Sequence, residues 1–303
     1  MFTNIFDSCY NLGFTTMSFV SQQTQRRKPV ALSRLLLLLF WSVLAFYLVA
    51  GLVVSLNQRW FIYVPPTYTS RHMDRLARAA NLERWTNSAG ESIGMKRPSA
   101  RQPAEGSVLI LYGNGSCTVN CAHYADDIQN VAAFDVFILE YPGYGDRPGS
   151  PSQRSLSQAA DNGLQMLPTN RPIYLVGESL GSGVAAHLAG AYPDKVAGAI
   201  LLSPFNRLAD VAQYHMPVFP VHLILMDRFP SEDDLRRCHG PVGVMVDGRD
   251  QVVPEKFGLR LYNDYAGPKR LWEFPQGGHV VIAEPPAEFW KEVIGFWQTN
   301  RLR

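Results

Sequence analysis

Residues 172–183 read PIYLVGESLGSG, and this stretch decides the fold. An apolar run typical of a buried strand ends at Gly177, and small and apolar residues typical of a helix begin at Leu180. Between them, the G-x-S-x-G pattern places Ser179 on a tight turn that lifts its hydroxyl clear of the sheet. Side chains at Gly177 and Gly181 would collide with neighbouring backbone. The stretch therefore predicts a nucleophilic serine, with an ordinary glycine-rich strand-to-helix turn as the alternative.

Apolar runs on both sides of this motif alternate with helical stretches. The predicted strands are nearly continuous apolar runs at 107–112, 135–140, 172–177, 197–202, 241–247 and 269–274. The predicted helices are 122–133, 153–167, 180–191, 254–265 and 286–300. This alternation predicts an α/β fold with a mostly parallel central sheet flanked by helices and begun by an antiparallel hairpin over 82–96. Residues 203–240 interrupt the alternation and are predicted to form a small helical cap.

A serine hydroxyl is a weak nucleophile, so it needs a base, and the base needs an orienting acid. Asp250 lies in GRDQVVP after one predicted strand, and His279 lies in PQGGH after the next. Because parallel strands end at the same sheet edge, Ser179, Asp250 and His279 are expected to converge there. Asp247 is the competing acid, but its position at the strand end favours a role in shaping the loop.

An acyl-transfer site also needs backbone N–H groups that stabilise the oxyanion. The expected donors are Leu180, directly after the nucleophile, and Asn114 in the GNGSC loop after the first parallel strand. A plain turn is the alternative for that loop. Among the other histidines, His123 and His187 are expected to be structural, whereas His215 and His222 in the cap are candidates for substrate contact.

One long uncharged segment lies near the N-terminus of a chain that is otherwise 47% hydrophobic and too apolar for a disordered protein. Residues 35–56 carry no charge, and as a helix they would extend about 33 Å, enough to cross a hydrocarbon layer of about 30 Å. A cleaved secretory signal and a buried core helix are the alternatives. No small-residue cleavage site follows the run, which disfavours the signal.

The flanking charges predict the orientation of this segment. Residues 1–34 carry a net charge of +3, whereas the chain after residue 56 carries −1. The positive-inside bias therefore predicts a cytoplasmic basic tail (1–34), a transmembrane helix (35–56) and a non-cytoplasmic domain (57–303), which is periplasmic at the inner membrane if the protein is bacterial. The near-neutral domain disfavours nucleic acid as a partner.

Taken together, these residues resemble the α/β-hydrolases, and within them the membrane-anchored BEM46-like or ABHD12/13/17-like serine hydrolases. GNGS at 113–116 is similar to the family's HGNAGN loop, and EYPGYGDRPGSPS at 140–152 matches its E/D-Y-x-G-Y-G segment. PVFPVHLILMDRFPSEDDL at 217–235 resembles its cap segment, and GGH at 277–279 completes the set. The resemblance covers about residues 57–300 and implies the roles of nucleophile, acid and base for Ser179, Asp250 and His279.

The sequence departs from this family at four positions. Tyr112 stands where a histidine commonly precedes the oxyanion glycine, and Asp247 stands where a histidine commonly precedes Gly248, so different hydrogen bonding is expected in both loops. Cys117 and Cys121 lie in the oxyanion loop and would make it redox-sensitive if they were oxidised. They are a poor zinc pair, because no second ligand pair at suitable spacing accompanies them.

The sequence thus predicts a single-pass membrane-anchored serine hydrolase that transfers an acyl group to water without a metal or organic cofactor. The apolar stretch 217–226, beside the expected bilayer, indicates lipid acyl esters or thioesters as substrates. Two other functions stay open: a serine peptidase or amidase with the same residues, and a catalytically idle membrane scaffold that keeps the fold for binding.

Overall fold

The computed structural model describes residues 30–279 and 287–300 of the 303-residue chain. The basic cluster at residues 26–28 and the predicted start of the last helix at residue 286 lie outside the described residues. The described residues fall into two units that divide between Ala50 and Gly51.

A single long helix, α1 (Val30–Leu56), begins five residues before the expected apolar span. Its stretch Leu32–Leu56 has a mean hydropathy of 2.5 and is long and apolar enough to cross a membrane. No part of its most apolar stretch is buried in the protein, so the alternative of a buried core helix is wrong.

The second unit contains one eight-stranded sheet, with strand order β1-β2-β4-β3-β5-β6-β7-β8. The strands are β1 (Glu83–Thr86), β2 (Ser92–Arg97), β3 (Gly106–Leu111), β4 (Phe134–Leu139), β5 (Ile173–Glu178), β6 (Val196–Leu202), β7 (Val242–Asp247) and β8 (Lys269–Phe274). Strand β2 runs antiparallel to β1 and β4, and the remaining pairs are parallel. The predicted hairpin and all six predicted strands are confirmed, each strand end within one residue.

Helices cover this sheet between the strands. Within the described residues they are α2 (Gln58–Ile62), α3 (Ser70–Ala79), α4 (Ala122–Val131), α5 (Gln153–Gln165), α6 (Leu180–Ala191), α7 (Leu208–His215), α8 (Val221–Ile224), α9 (Ser231–Leu235), α10 (Glu255–Asp264) and α11 (Ala287–Asn300). The insertion at 203–240 contains the three short helices α7 to α9, as expected of a small helical cap. Helices α4 and α5 end two residues earlier than predicted.

Strands β3, β5 and β7 are buried along nearly their whole length, which explains their continuous apolar sequences. Because β3, β5, β6, β7 and β8 are parallel, the loops that follow them meet at one edge of the sheet. Asn114, Ser179, Asp250 and His279 lie in these loops, and Leu180 is the first residue of the helix that follows β5.

Candidate active site

Ser179 lies on the sharp turn between β5 and α6 in a strained conformation. Its φ of 49° lies in the left-handed region that residues other than glycine rarely adopt. A Cβ at Gly181 would lie 1.9 Å from the Leu111 carbonyl oxygen, and one at Gly177 would lie 2.6 Å from the Cβ of Ala185. The two glycines therefore allow the turn to pack against β3 and α6, as the sequence predicts.

Asp250 and His279 lie in contact, although 29 residues separate them in sequence. Nδ1 of His279 lies 2.7 Å from Oδ2 of Asp250. An ionised carboxylate can only accept hydrogen bonds, so Nδ1 carries the hydrogen and Nε2 is left as the basic nitrogen. The convergence of the β7 and β8 loops thus produces an acid–histidine pair with the tautomer that general-base catalysis needs.

Four hydrogen bonds hold the Asp250 carboxylate in place. Oδ1 accepts from the backbone N–H groups of Val252 and Val253, each at 2.8 Å. Oδ2 accepts from the Ser203 hydroxyl at 2.6 Å as well as from His279. Burial alone would raise the pKa of Asp250, but these donors lower it below its usual value, so the group stays ionised.

Ser203 is a site residue that the sequence analysis missed. It follows β6 with a φ of 44°, and its hydroxyl shares Oδ2 of Asp250 with His279. No local motif marks it, because its role depends on the position of β6 between β5 and β7. Its position directly after a predicted parallel strand could have indicated that Ser203 lies at the same sheet edge as the other site residues.

Asp247, the competing acid, makes no hydrogen bond to His279. Its side chain is buried, and its two oxygens have no hydrogen-bond partner among the described residues. Burial and the nearby Asp250 charge raise the pKa of Asp247 to about 6. A Cβ at Gly277 would lie 1.8 Å from Oδ1 of Asp247, so the aspartate packs against the loop that leads to His279.

The His279 imidazole is surrounded by carboxylates. Burial alone would lower its pKa, but the hydrogen bond and charge of Asp250 raise it above the ordinary value of 6.5. The charges of Glu178 and Asp247 raise this pKa further. Glu178 is the last residue of β5 and directly precedes Ser179, so a charge at the end of this strand acts on the His279 imidazole.

Leu180 and Asn114, the two expected oxyanion donors, lie together in the wall of one cavity with Ser179. Leu180 is the first residue of α6, and the N–H groups in the first turn of a helix have no intrahelical acceptor. Their partial positive charge favours an anion at this end of the helix.

The Asn114 side chain connects the loop after β3 to two other segments. Its Nδ2 donates to the Ile62 carbonyl at 2.6 Å, and its Oδ1 accepts from the Val64 N–H at 2.9 Å. The Tyr144 hydroxyl donates to the same Oδ1 at 2.7 Å. Tyr144 belongs to the EYPGYG segment, which therefore contacts the expected oxyanion loop through this hydrogen bond.

Tyr112, which departs from the family pattern, takes part in a buried hydrogen-bond network. Its hydroxyl donates to Oε1 of Glu140 and accepts from the Tyr141 N–H at 3.2 Å. The other Glu140 oxygen accepts from the Thr118 hydroxyl at 2.7 Å. Burial raises the pKa of Glu140, and these donors partly offset the shift. These hydrogen bonds connect Tyr112 and the segment after the GNGSC loop to the end of β4.

A largely apolar cavity of about 440 Å³ opens onto Ser179. This volume lies within the range of about 300–1,000 Å³ typical of small-molecule sites. Cap residues such as Val211, Val221 and Leu225 form one wall, and residues 251–253 form another. A third wall comes from residues 54–62, which the sequence analysis did not connect with the site.

The other histidines and cysteines considered in the sequence occupy different environments in the structure. His187 contacts Asp161 at 3.0 Å and His123 contacts the Asn120 carbonyl at 3.2 Å, consistent with structural roles. His215 lines the cavity, whereas His222 lies 3.5 Å from Asp210 and is not among the lining residues.

The buried thiols of Cys117 and Cys121 are unbridged. Burial raises the pKa of Cys117 to about 11, which disfavours the expected redox sensitivity.

The chain is similar in sequence to a known family and to several known proteins. The family model described as alpha/beta hydrolase fold matches residues 106–230. An uncharacterized protein of Mycobacterium tuberculosis is 35% identical over 57% of this chain and 62% of its own length. An uncharacterized membrane protein of Saccharomyces cerevisiae is 31% identical over 57% of this chain and 64% of its own. The lysophosphatidylserine lipase ABHD12 of Danio rerio is 30% identical over 57% of this chain and 50% of its own, so the chain spans less than two thirds of each relative.

Solved structures share the fold at low sequence identity. A monoacylglycerol lipase from Paleococcus ferrophilus superimposes with a TM-score of 0.54 at 19% identity, over 72% of this chain and 98% of that one. An esterase from Pyrococcus furiosus superimposes with a TM-score of 0.55 at 14% identity, over 79% and 96% of the two chains. These likenesses establish the architecture of the sheet and its covering helices.

Proposed function

Because the chain has the α/β-hydrolase fold and ABHD12 proteins are among its sequence relatives, we propose that it is a membrane-anchored serine hydrolase acting on carboxylic esters or thioesters. The observation that carries the proposal is the 2.7 Å contact between His279 and Asp250 at the sheet edge where the strained Ser179 turn lies. A hydrolase fold alone does not require such a pair, whereas activation of a serine does.

The proposed reaction assigns a chemical step to each site residue. Nε2 of His279 takes the proton of the Ser179 hydroxyl as the oxygen attacks the ester carbonyl. The ionised Asp250 stabilises the imidazolium, and the Asn114 and Leu180 N–H groups stabilise the oxyanion. His279 then gives its proton to the departing alcohol or thiol, which leaves the acyl group on Ser179. In the second half, His279 takes a proton from water as the water oxygen attacks the acyl carbonyl, and returns it to the Ser179 oxygen as the carboxylic acid leaves. No cofactor enters this scheme.

The shape and lining of the cavity support an acyl chain as the group bound beside Ser179. Apolar side chains dominate its lining, which favours a hydrocarbon over a peptide, because a peptide needs hydrogen-bond partners for its backbone. One relative carries the name of a lysophosphatidylserine lipase, which is consistent with a lipid ester as substrate.

Membrane anchoring through α1 is the second part of the proposal. The helix is long and apolar enough to cross a bilayer, and the yeast relative is a membrane protein. The net positive charge of residues 1–34 predicts a cytoplasmic N-terminus, with the hydrolase domain, residues 57–303, on the other side. This orientation and these domain limits stay predictions.

We expect the purified full-length protein to hydrolyse p-nitrophenyl esters and acyl thioesters much faster than aminoacyl anilides. The physical reason is that the apolar cavity offers few partners for an amide backbone. Release of p-nitrophenol, thiol or aniline in detergent micelles measures the three activities. A preference for anilides would favour the peptidase alternative, and the absence of turnover on all three classes would favour the idle scaffold.

The acid inflection of the pH profile of kcat/KM is expected at a pH above the ordinary imidazole pKa of about 6.5. His279 must be neutral to act as a base, and its raised pKa means that kcat/KM falls as the pH drops through that higher value. Measurement of kcat/KM between pH 5 and pH 9 on a neutral ester locates the inflection.

The variant Glu178→Gln provides the matched control for this profile. It removes a carboxylate that raises the His279 pKa, so the inflection should move to lower pH. An inflection at or below pH 6.5 in the wild-type protein would contradict the proposed electrostatics of the site.

A further inference from the structure

The segment that follows the apolar span is built into the candidate active site. Residues 51–66, which we call the juxtamembrane segment, include the last turn of α1, helix α2 and the extended stretch after it. Five of them line the cavity: Val54, Ser55, Gln58, Phe61 and Ile62. A segment needed only to tether a domain would not have to contribute to the wall of its cavity.

One end of the juxtamembrane segment is fixed to the cap through a buried glutamine. Gln58 is only 5% exposed, which is unusual for a residue directly after a membrane span. Its Oε1 accepts from the Met226 N–H at 2.6 Å, and its Nε2 donates to the carbonyls of Ser55 and Ile224 at 2.6 and 3.2 Å. These hydrogen bonds connect Gln58 on α2 both to the last turn of α1 and to the cap at Ile224 and Met226.

An ion pair strengthens the same connection. Nε of Arg59 lies 3.0 Å from Oδ2 of Asp227, whose side chain is buried in the cap. The Tyr63 hydroxyl donates to that oxygen at 3.1 Å. Both residues satisfy a carboxylate that would otherwise be costly to bury.

The other end of the segment is fixed to the oxyanion loop. The Asn114 side chain bonds to the Ile62 carbonyl and the Val64 N–H, as described above. The cavity wall thus runs from Ile62, beside the oxyanion loop, back to Val54 on the last turn of α1.

From this arrangement we infer that the juxtamembrane segment is the wall that selects the acyl chain, and that Val54 sets the chain length accepted. The inference rests on the proposed esterase function and adds to it a determinant of specificity. An acyl chain that starts at Ser179 and follows this wall passes Ile62 and ends against Val54. The end of α1 is then both an anchor and a part of the substrate pocket, so the preferred substrate is an ester with a long hydrocarbon chain.

Two adjacent valines allow a matched test of this inference. Val54 lines the cavity, whereas Val53 is 52% exposed and is not among the lining residues. In Val54→Phe, the larger side chain occupies part of the cavity that Val54 lines, so kcat/KM for dodecanoyl relative to butanoyl p-nitrophenyl ester should fall about tenfold or more. In Val53→Phe, the same added volume points away from the cavity, and the ratio should stay within about twofold.

A smaller side chain provides a second variant that does not depend on accommodating a phenyl ring. Val54→Ala lengthens the cavity, so the ratio should shift toward chains longer than dodecanoyl, whereas Val53→Ala should leave it unchanged. All variants are assayed as full chains in the same mixed micelles.

The outcomes separate this inference from the function on which it rests. Activity on esters with an unchanged chain-length ratio in both Val54 variants would overturn the inference and leave the esterase function standing. An equal shift in the Val53 variants would also overturn it, because the effect would then come from the membrane helix in general. If the wild-type protein hydrolysed no ester, the proposed function would be overturned, and the inference that rests on it would fall with it.

Discussion

Replacement of Ser179 by alanine is expected to lower kcat for ester hydrolysis by a factor of about 10⁶ and leave the fold intact. The variant loses the only group that the proposed mechanism uses to form the acyl-enzyme. The substituted residue occupies a position with φ of 49°, which alanine tolerates no worse than serine, so secondary structure and thermal stability should be retained. Initial rates on a short-chain p-nitrophenyl ester, with circular dichroism on the same samples, measure both.

A serine that does not line the cavity provides the control for this variant. Ser157 lies on α5 and is not among the lining residues, so Ser157→Ala should retain wild-type kcat. If Ser179→Ala retained more than a few per cent of wild-type activity in a folded protein, another nucleophile would have to be sought.

Replacement of Asp250 by asparagine is expected to lower kcat by about 10⁴. Asparagine keeps the size of the side chain but removes the charge that stabilises the imidazolium, and its amide group can donate to Nδ1 and so favour the wrong tautomer of His279. Because Ser203 and two backbone N–H groups also bond to this carboxylate, some loss of stability is expected as well. Thermal melts of the variant separate the two effects.

Asp247→Asn is the matched control, because it neutralises the other buried carboxylate three residues earlier. Asp247 makes no hydrogen bond to the imidazole among the described residues, so its neutralisation should cost less than about tenfold in kcat. It should also shift the acid inflection of the pH profile downward, since its charge raises the pKa of His279. Equal losses in the two variants would contradict the assignment of Asp250 as the orienting acid.

The sheet could be predicted closely because its physical signals are local. Strands buried on both faces need continuous apolar runs, and β3 and β5 show them without interruption. The glycines around Ser179 are also local, since each removes a collision with a nearby backbone or side-chain atom. The contact between Asp250 and His279 followed from one further rule, that parallel strands end at the same edge.

The parts that could not be predicted depend on contacts between distant segments. Gln58 looks like a polar boundary after an apolar span, and nothing in its neighbours indicates that it is buried against the cap. The hydrogen bond from Tyr144 to Asn114 could not be predicted, because 30 positions separate the two residues in sequence and nothing local shows that their loops are adjacent. Ser203 has a positive φ, and its hydrogen-bond partners, the Met245 carbonyl on β7 and the Asp250 carboxylate, are distant in sequence. Helix α3 was not predicted because its ten residues are mostly polar, and only Met73 and Ala77 on its apolar face are buried.

The central claim is that Ser179 is an activated nucleophile, and active-site labelling tests it most directly. The full-length protein is treated with a fluorophosphonate, which reacts with a serine whose proton a neighbouring base can accept. Mass spectrometry of the digested protein then locates the adduct. We predict a single phosphonate on the peptide that contains GESLG, and no labelling of Ser179→Ala. An unlabelled wild-type protein that is shown to be folded, or an adduct on another residue that persists in Ser179→Ala, would contradict the claim.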